Sequence, residues 1–142
     1  MKILKKSIDL AVRFSETDAM GVVWHGNYLK FFEDARECLG KEYNLDNLAI
    51  FNQGYFTPIV HSEIDHKAPI YYGENLRVTA ILEFRSAAKI VFRYEVLNLS
   101  TNKLAAIGQT IQVFLSAKER TLELNKPDFY ANWEAQQPWI NA

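Results

Sequence analysis

Two periods of apolar and polar residues divide the chain into an opening strand, one helix and a run of further strands. Residues 7–14 place Ile8, Leu10, Val12 and Phe14 on one face and Ser7, Asp9 and Arg13 on the other. That two-residue alternation predicts a half-buried strand. Between Ser15 and Gly26 no period survives, and Gly21 and Gly26 suit tight backbone there. From Tyr28 to about Tyr43 the period becomes helical, with Tyr28, Phe31, Phe32, Ala35, Cys38 and Leu39 on one side. Lys30, Glu33, Glu37 and Lys41 fall on the other side, where Glu37 and Lys41 form a favourable i,i+4 pair. Asn27 is placed to be the N-cap. The aromatic stripe reads first as core, and Cys38 within it as an inert core thiol.

A loop is expected from Asn44 to Gly54, after which β-type segments dominate. Residues 58–67 form one, ending near Pro69, whose missing N–H suits a strand end. Residues 75–85 set Leu76, Val78, Ala80 and Leu82 against Arg77, Thr79 and Glu83, and residues 89–98 repeat the pattern with Ile90, Phe92, Tyr94 and Val96. Asn98 to Asn102 is a turn. Residues 103–116 form the last long strand, in which Gly108 marks a bend or bulge. The tail 126–142 carries Trp133, Pro138 and Trp139 but little pattern, and its role is not assigned. There is no internal repeat or linker, so the chain reads as one domain, 1–142.

These elements predict an α+β domain, an antiparallel five-stranded sheet wrapped around one long central helix. Such a sheet has unprotected edges, and pairing with a second copy is a natural remedy, so a homodimer is expected.

Composition narrows the function. The chain has 142 residues, 49% of them hydrophobic, enough for one sizeable core. Its net charge of −1, with Lys and Arg dispersed, argues against nucleic-acid binding. No apolar run approaches the roughly 20 residues of a membrane span. The basic start, Met1 to Lys6, lacks the apolar stretch of a signal peptide. One cysteine rules out an internal disulfide, and a soluble cytoplasmic protein is expected.

Candidate chemistry concentrates between Phe14 and Tyr28, where a carboxylate, two glycines and a histidine precede a helix. A helix N-terminus offers unpaired N–H donors and a positive dipole end. Such donors can polarise a carbonyl and hold the oxyanion that forms on attack. A carboxylate opposite them can serve as nucleophile or as base for water.

The run from Arg13 to Tyr28, continuing through Phe31-Phe32-Glu33-Asp34-Ala35-Arg36, closely resembles the 4-hydroxybenzoyl-CoA thioesterase family of hot-dog proteins. That family's pattern is a strand, then T-D-x-x-G-h-V-x-H/Y-x-N-Y with h apolar, then a helix opening with aromatics. Ala68-Pro69-Ile70 and the stretch from Gly73 to Val78 also look like the family's second-to-third strand connection, so the resemblance extends over roughly residues 5–120. It implies a hot-dog fold and an acyl-CoA thioesterase that assembles as a homodimer or a dimer of dimers. No metal or redox cofactor is implied, and coenzyme A enters as part of the substrate. Asp18 matches the catalytic aspartate, and His25 the position whose backbone N–H points at the thioester carbonyl. Gly26, Asn27 and Tyr28 match the helix opening, with Trp24 beside them as a substrate contact.

Coenzyme A carries phosphates, and Arg85, Lys89, Lys118 and Arg120 flank the loops where this fold holds the nucleotide. The segment Phe84-Arg85-Ser86-Ala87-Ala88-Lys89 is thinner in cations than the family's. Helix aromatics, with Tyr55 and Phe56, are expected to line the acyl pocket.

Each of these residues also has a plainer reading. Ser15-x-x-Asp18 is a possible capping box or Asx-type turn. The His25 side chain could bond the aspartate or only fill space, and the family's tolerance of tyrosine there favours the backbone role. Glu33 and Arg36 read as a solvated face. His61, Glu63 and Asp65 share one strand face and could bind a metal, though solvent or an interface explains them as well. Two rival functions stand beside acyl-CoA hydrolysis: cleavage of acyl-carrier-protein thioesters, and non-catalytic binding of acyl-CoA.

Overall fold

The computed structural model describes residues 1–142. Its strands are β1 (Lys2–Ala11), β2 (Tyr55–Phe56), β3 (Ile59–His66), β4 (Asn75–Glu83), β5 (Lys89–Asn98), β6 (Lys103–Val113), β7 (Leu115–Ser116) and β8 (Ile140–Asn141). Its helices are α1 (Asn27–Glu42), α2 (Asn47–Asn52) and α3 (Asp128–Ala135), with a single 3-10 turn at Phe14–Glu16. The main sheet runs β3-β6-β5-β4-β1-β8, antiparallel throughout, and β2 pairs separately with β7.

The predicted α+β layout therefore holds in outline, with three differences. The expected strand 103–116 divides into β6 and β7, and β7 pairs with β2 outside the main sheet. The two-residue β8 adds a sixth strand to the expected five, and α2 and α3 accompany the one expected helix. A six-residue helix inside a loop and an eight-residue helix in the tail leave too few turns for a periodic signal.

The inner face of the sheet follows from alternation. Leu4, Ile8 and Leu10 of β1 sit opposite Leu82, Val78 and Leu76 of β4, and α1 packs across this surface. Tyr28, Phe31, Phe32, Ala35 and Leu39 are buried on the packed side of α1, as its period predicts, while Cys38 is half-buried. The first strand begins five residues earlier than its alternation suggested and ends before Val12. Phe14 leaves the expected face altogether and is 76% exposed in the 3-10 turn.

Gly108 does not interrupt β6. It pairs in regular register with Tyr94 and Ile64, and the irregularities fall at Val96/Leu97 and Ile59/His61 instead. What requires glycine is the close approach of α1. A Cβ at 108 would lie 2.4 Å from the Phe32 ring and 2.9 Å from the Glu63 carbonyl. Phe32 in turn stacks on Tyr94 with ring centres 4.3 Å apart. Gly108→Ala is expected to destabilise the protein by about 1–3 kcal/mol through overpacking, measurable as a lower urea midpoint at unchanged slope.

The tail closes one edge of the sheet. Phe129, Tyr130 and Trp133 of α3 pack among Phe114 and Tyr55, and Trp133 Nε1 donates to the Tyr43 carbonyl at 2.6 Å. β8 then pairs with the start of β1. The opposite edge, β3, remains open, and all its residues but Ile64 are exposed. His61 and Glu63 on that strand approach each other at 3.7 Å. No helix is long and apolar enough to cross a membrane.

Candidate active site

Between β1 and α1 the chain folds into a small hairpin whose corner carries a carboxylate and whose second arm leads into the helix start. Thr17 and Val23 form an antiparallel bridge, with Gly21 at φ +78° supplying the left-handed corner. The hairpin is tied to the β3–β4 connection: Val23 N–H donates to the Ile70 carbonyl at 2.8 Å, and Val22 bridges Tyr71.

Asp18 is half-buried at the start of this corner. Its Oδ1 accepts the Met20 N–H at 2.8 Å and, more weakly, the Val22 N–H at 3.4 Å. The Asx-type turn read from Ser15-x-x-Asp18 is thus present, built on one carboxylate oxygen. The second oxygen has no partner in the chain and is available to a substrate or water.

On the other arm, Trp24, His25 and Gly26 lead into α1. Gly26, not Asn27, is the N-cap, and Asn27 is the first helical residue. The Asn27 amide turns back instead to donate to the Glu16 carbonyl at 2.8 Å. Trp24 N–H donates to the same carbonyl at 2.9 Å, which clamps the two arms together. The N–H groups of His25 and Gly26 have no acceptor within the chain, while those of Asn27 and Tyr28 reach the carbonyls of Trp24 and His25. Two free donors therefore stand at the positive end of a 16-residue helix.

Gly26 has ordinary helical backbone, so its glycine answers a need for space. A Cβ there would come within 2.1 Å of the half-exposed Trp24 ring, which also packs on the His25 imidazole at 4.9 Å. The His25 side chain is exposed and makes no hydrogen bond to Asp18.

A cleft of about 300 Å³ opens at this helix start, lined by Val22, Val23, His25, Tyr28 and the segment His66, Lys67, Ala68 and Pro69. Tyr28 forms its buried wall and meets the His66 ring edge-on at 4.6 Å. Burial raises the Tyr28 phenol pKa, so this wall is neutral near pH 7.

Sequence reasoning missed Glu16, the residue that braces both arms. It is buried, accepts the Arg13 N–H at 2.8 Å and pairs with Lys30 Nζ at 2.6 Å. Burial opposes its ionisation, but Lys30 and the Arg13 N–H outweigh burial and hold its pKa below the ordinary 4.5. A pKa lowered by folding adds stability above the unfolded value, and that stability is lost as pH falls through the folded value. Glu16→Gln is therefore expected to flatten the loss of stability below about pH 4.5, read by urea titrations across the acid range. Glu16 lay in the aperiodic stretch, where no pattern distinguishes a buried acid from a solvated one.

His66 and Lys67 were likewise unread as site residues, because a long crossover brings their strand end to α1. Arg36, read as part of a solvated face, is half-buried and donates to the Tyr94 hydroxyl at 2.9 Å, which shares a hydrogen bond with Thr110 at 2.7 Å. Glu33 is exposed, as expected.

The four candidate phosphate-binding cations are disposed unequally. Arg85 and Arg93 both bind buried Glu83 at 2.6 Å, so Arg85 is held by the protein itself. Arg120 lies over the Phe56 ring at 5.2 Å. Lys89 and Lys118 form no ion pair within the chain. Tyr55 packs on Phe114 and Phe129, and Phe56 on Phe51, and neither lines the cleft at α1.

Comparison with known proteins bears on this arrangement. The sequence pattern of the Thioesterase-like superfamily matches residues 12–136. YneP of Bacillus subtilis, provisionally named an acyl-CoA thioesterase, is 36% identical over 98 residues, spanning 69% of this chain and 70% of its own. The 1,4-dihydroxy-2-naphthoyl-CoA hydrolase of Thermosynechococcus vestitus is 30% identical over 128 residues, spanning 89% and 86%. The crystal structure of Slr0204, a 1,4-dihydroxy-2-naphthoyl-CoA thioesterase from Synechocystis, superposes with a TM-score of 0.80 at 26% identity, over 93% of this chain and 96% of its own.

Proposed function

The chain belongs to the Thioesterase-like superfamily of hot-dog proteins, and on that premise we propose that it hydrolyses an acyl-CoA thioester to a free acid and coenzyme A. The observation that carries this reading is the hairpin that holds the Asp18 carboxylate, with one free oxygen, at its corner and the free N–H groups of His25 and Gly26 at the end of its second arm. The thioester carbonyl oxygen accepts those N–H groups, which stabilise the charge that develops on it. Asp18 then acts through its free oxygen in one of two ways. It attacks the carbonyl carbon, the C–S bond breaks, and water hydrolyses the resulting anhydride. Alternatively it takes a proton from a water that attacks in its place. The tetrahedral oxyanion expels the thiolate in both routes, collapsing to the anhydride in the first and to the acid in the second.

Trp24, Tyr28 and the Asn27 backbone border the helix start and contact the substrate near its thioester. Lys89 and Lys118, free of internal partners, are the cations proposed for the phosphates of coenzyme A, with Arg120 nearby. The reaction needs no metal or redox group, and coenzyme A enters with the substrate. Relatives named for 1,4-dihydroxy-2-naphthoyl-CoA favour an aromatic acyl group. The open β3 edge, where Ile59 and Val60 are exposed, favours extension of the sheet by a second copy, as a homodimer or a dimer of dimers.

The carrier is tested by presenting one acyl group on coenzyme A and on acyl-carrier protein. A higher kcat/KM for the coenzyme A thioester is expected, and the reverse order would assign the activity to the carrier protein.

A further inference from the structure

Lys67 is the one permanently charged side chain that lines the cleft at the start of α1. Its lining includes Lys67, His25 and His66 and no carboxylate. Lys67 forms no ion pair within the chain. Its backbone is nevertheless fixed, because the N–H groups of Lys67 and Ala68 both donate to the Ala105 carbonyl, at 2.7 and 3.1 Å. This double bond to one acceptor turns the chain at the end of β3 and holds residue 67 at the mouth of the cleft. His66 stands beside it against Tyr28 at 4.6 Å. Glu63 and Asp65, which pair with Gln109 and Ile107 of β6, lie on the strand face opposite His66, and neither lines the cleft. The helix start adds its own positive potential and two free N–H groups. Asp18, the acid nearest in the hairpin, does not line this cleft.

A neutral alkyl chain gains nothing from an ammonium at the mouth of its pocket, and a cationic acyl group is repelled. An acyl group with a negative charge of its own is attracted and oriented. We propose that Lys67, with His66 beside it, selects acyl groups that carry a carboxylate, as in the half-thioester of a dicarboxylic acid, over neutral acyl groups of equal size. This inference rests on the proposed thioesterase activity and names a substrate class for it.

Adipoyl-CoA and hexanoyl-CoA test it, because they share chain length and differ in the terminal carboxylate. In wild type the ratio of kcat/KM, adipoyl over hexanoyl, is expected to exceed one and to shrink as salt screens the pair. Lys67→Met should lower that ratio about tenfold, the scale for loss of one partly screened charge pair, and Lys67→Arg should retain it. An equal ratio in wild type and Lys67→Met, or a parallel fall for both thioesters, overturns the inference while the activity stands. Wild type that turns over neither thioester nor any other acyl-CoA overturns the activity as well.

Discussion

Replacing Asp18 with asparagine is expected to lower kcat for thioester hydrolysis by about 10²–10⁴-fold while leaving the fold in place. That range corresponds to about 3–5 kcal/mol of activation barrier. An asparagine carbonyl can still accept the Met20 N–H that Asp18 Oδ1 accepts at 2.8 Å, so the turn survives. What disappears is the anionic second oxygen, which has no structural partner. Asp18→Ala should behave differently, losing the turn contact as well as the charge, at a cost of about 1 kcal/mol in stability. Melting curves and thiol-release rates on both variants separate the two duties of this side chain. Turnover by Asp18→Asn near the wild-type rate would remove Asp18 from the chemistry.

The second large effect is structural. Phe32→Ala is expected to destabilise the protein by about 3–5 kcal/mol, the usual cost of deleting a fully buried aromatic ring. Phe32 has no exposed surface, stacks on Tyr94 and fills the space above Gly108. It therefore fixes the separation of α1 from β5 and β6, and with it the placing of the helix start that carries the free N–H groups. Because Phe32 and residue 108 share one contact, Gly108→Ala should cost less in the Phe32→Ala background than alone. Additive losses in a urea double-mutant cycle would show that the contact does not decide the packing.

The parts of this structure legible in the sequence are those whose cause is local. The period from Tyr28 to about Tyr43 located α1 to within a residue, and the alternation of residues 89–98 matched β5 at both ends. Asp18 and the helix start were found because their spacing is set within one hairpin, and because the motif around them resembles a known family. Residues placed by distant contacts were not legible. Lys30 falls on the polar side of α1 as its period predicts, but no local pattern shows that its ammonium reaches a buried acid 14 positions away. His66 and Lys67 join the cleft only because β3 crosses to the sheet's far edge beside β6. Gly108 invited a bulge, when its cause is a ring from another element. The tail looked patternless because its helix is held by aromatic contacts with Tyr55 of β2 and with Phe114, just past β6, not by its own amphipathicity.

Release of coenzyme A thiol from short-chain, long-chain and aromatic acyl-CoAs by the wild-type protein, with the acid product identified by mass, bears most directly on the proposed activity. Steady release with stoichiometric free acid from at least one thioester is expected. Tight binding of the same thioesters without release of thiol or acid would make the chain a non-catalytic acyl-CoA-binding member of its superfamily.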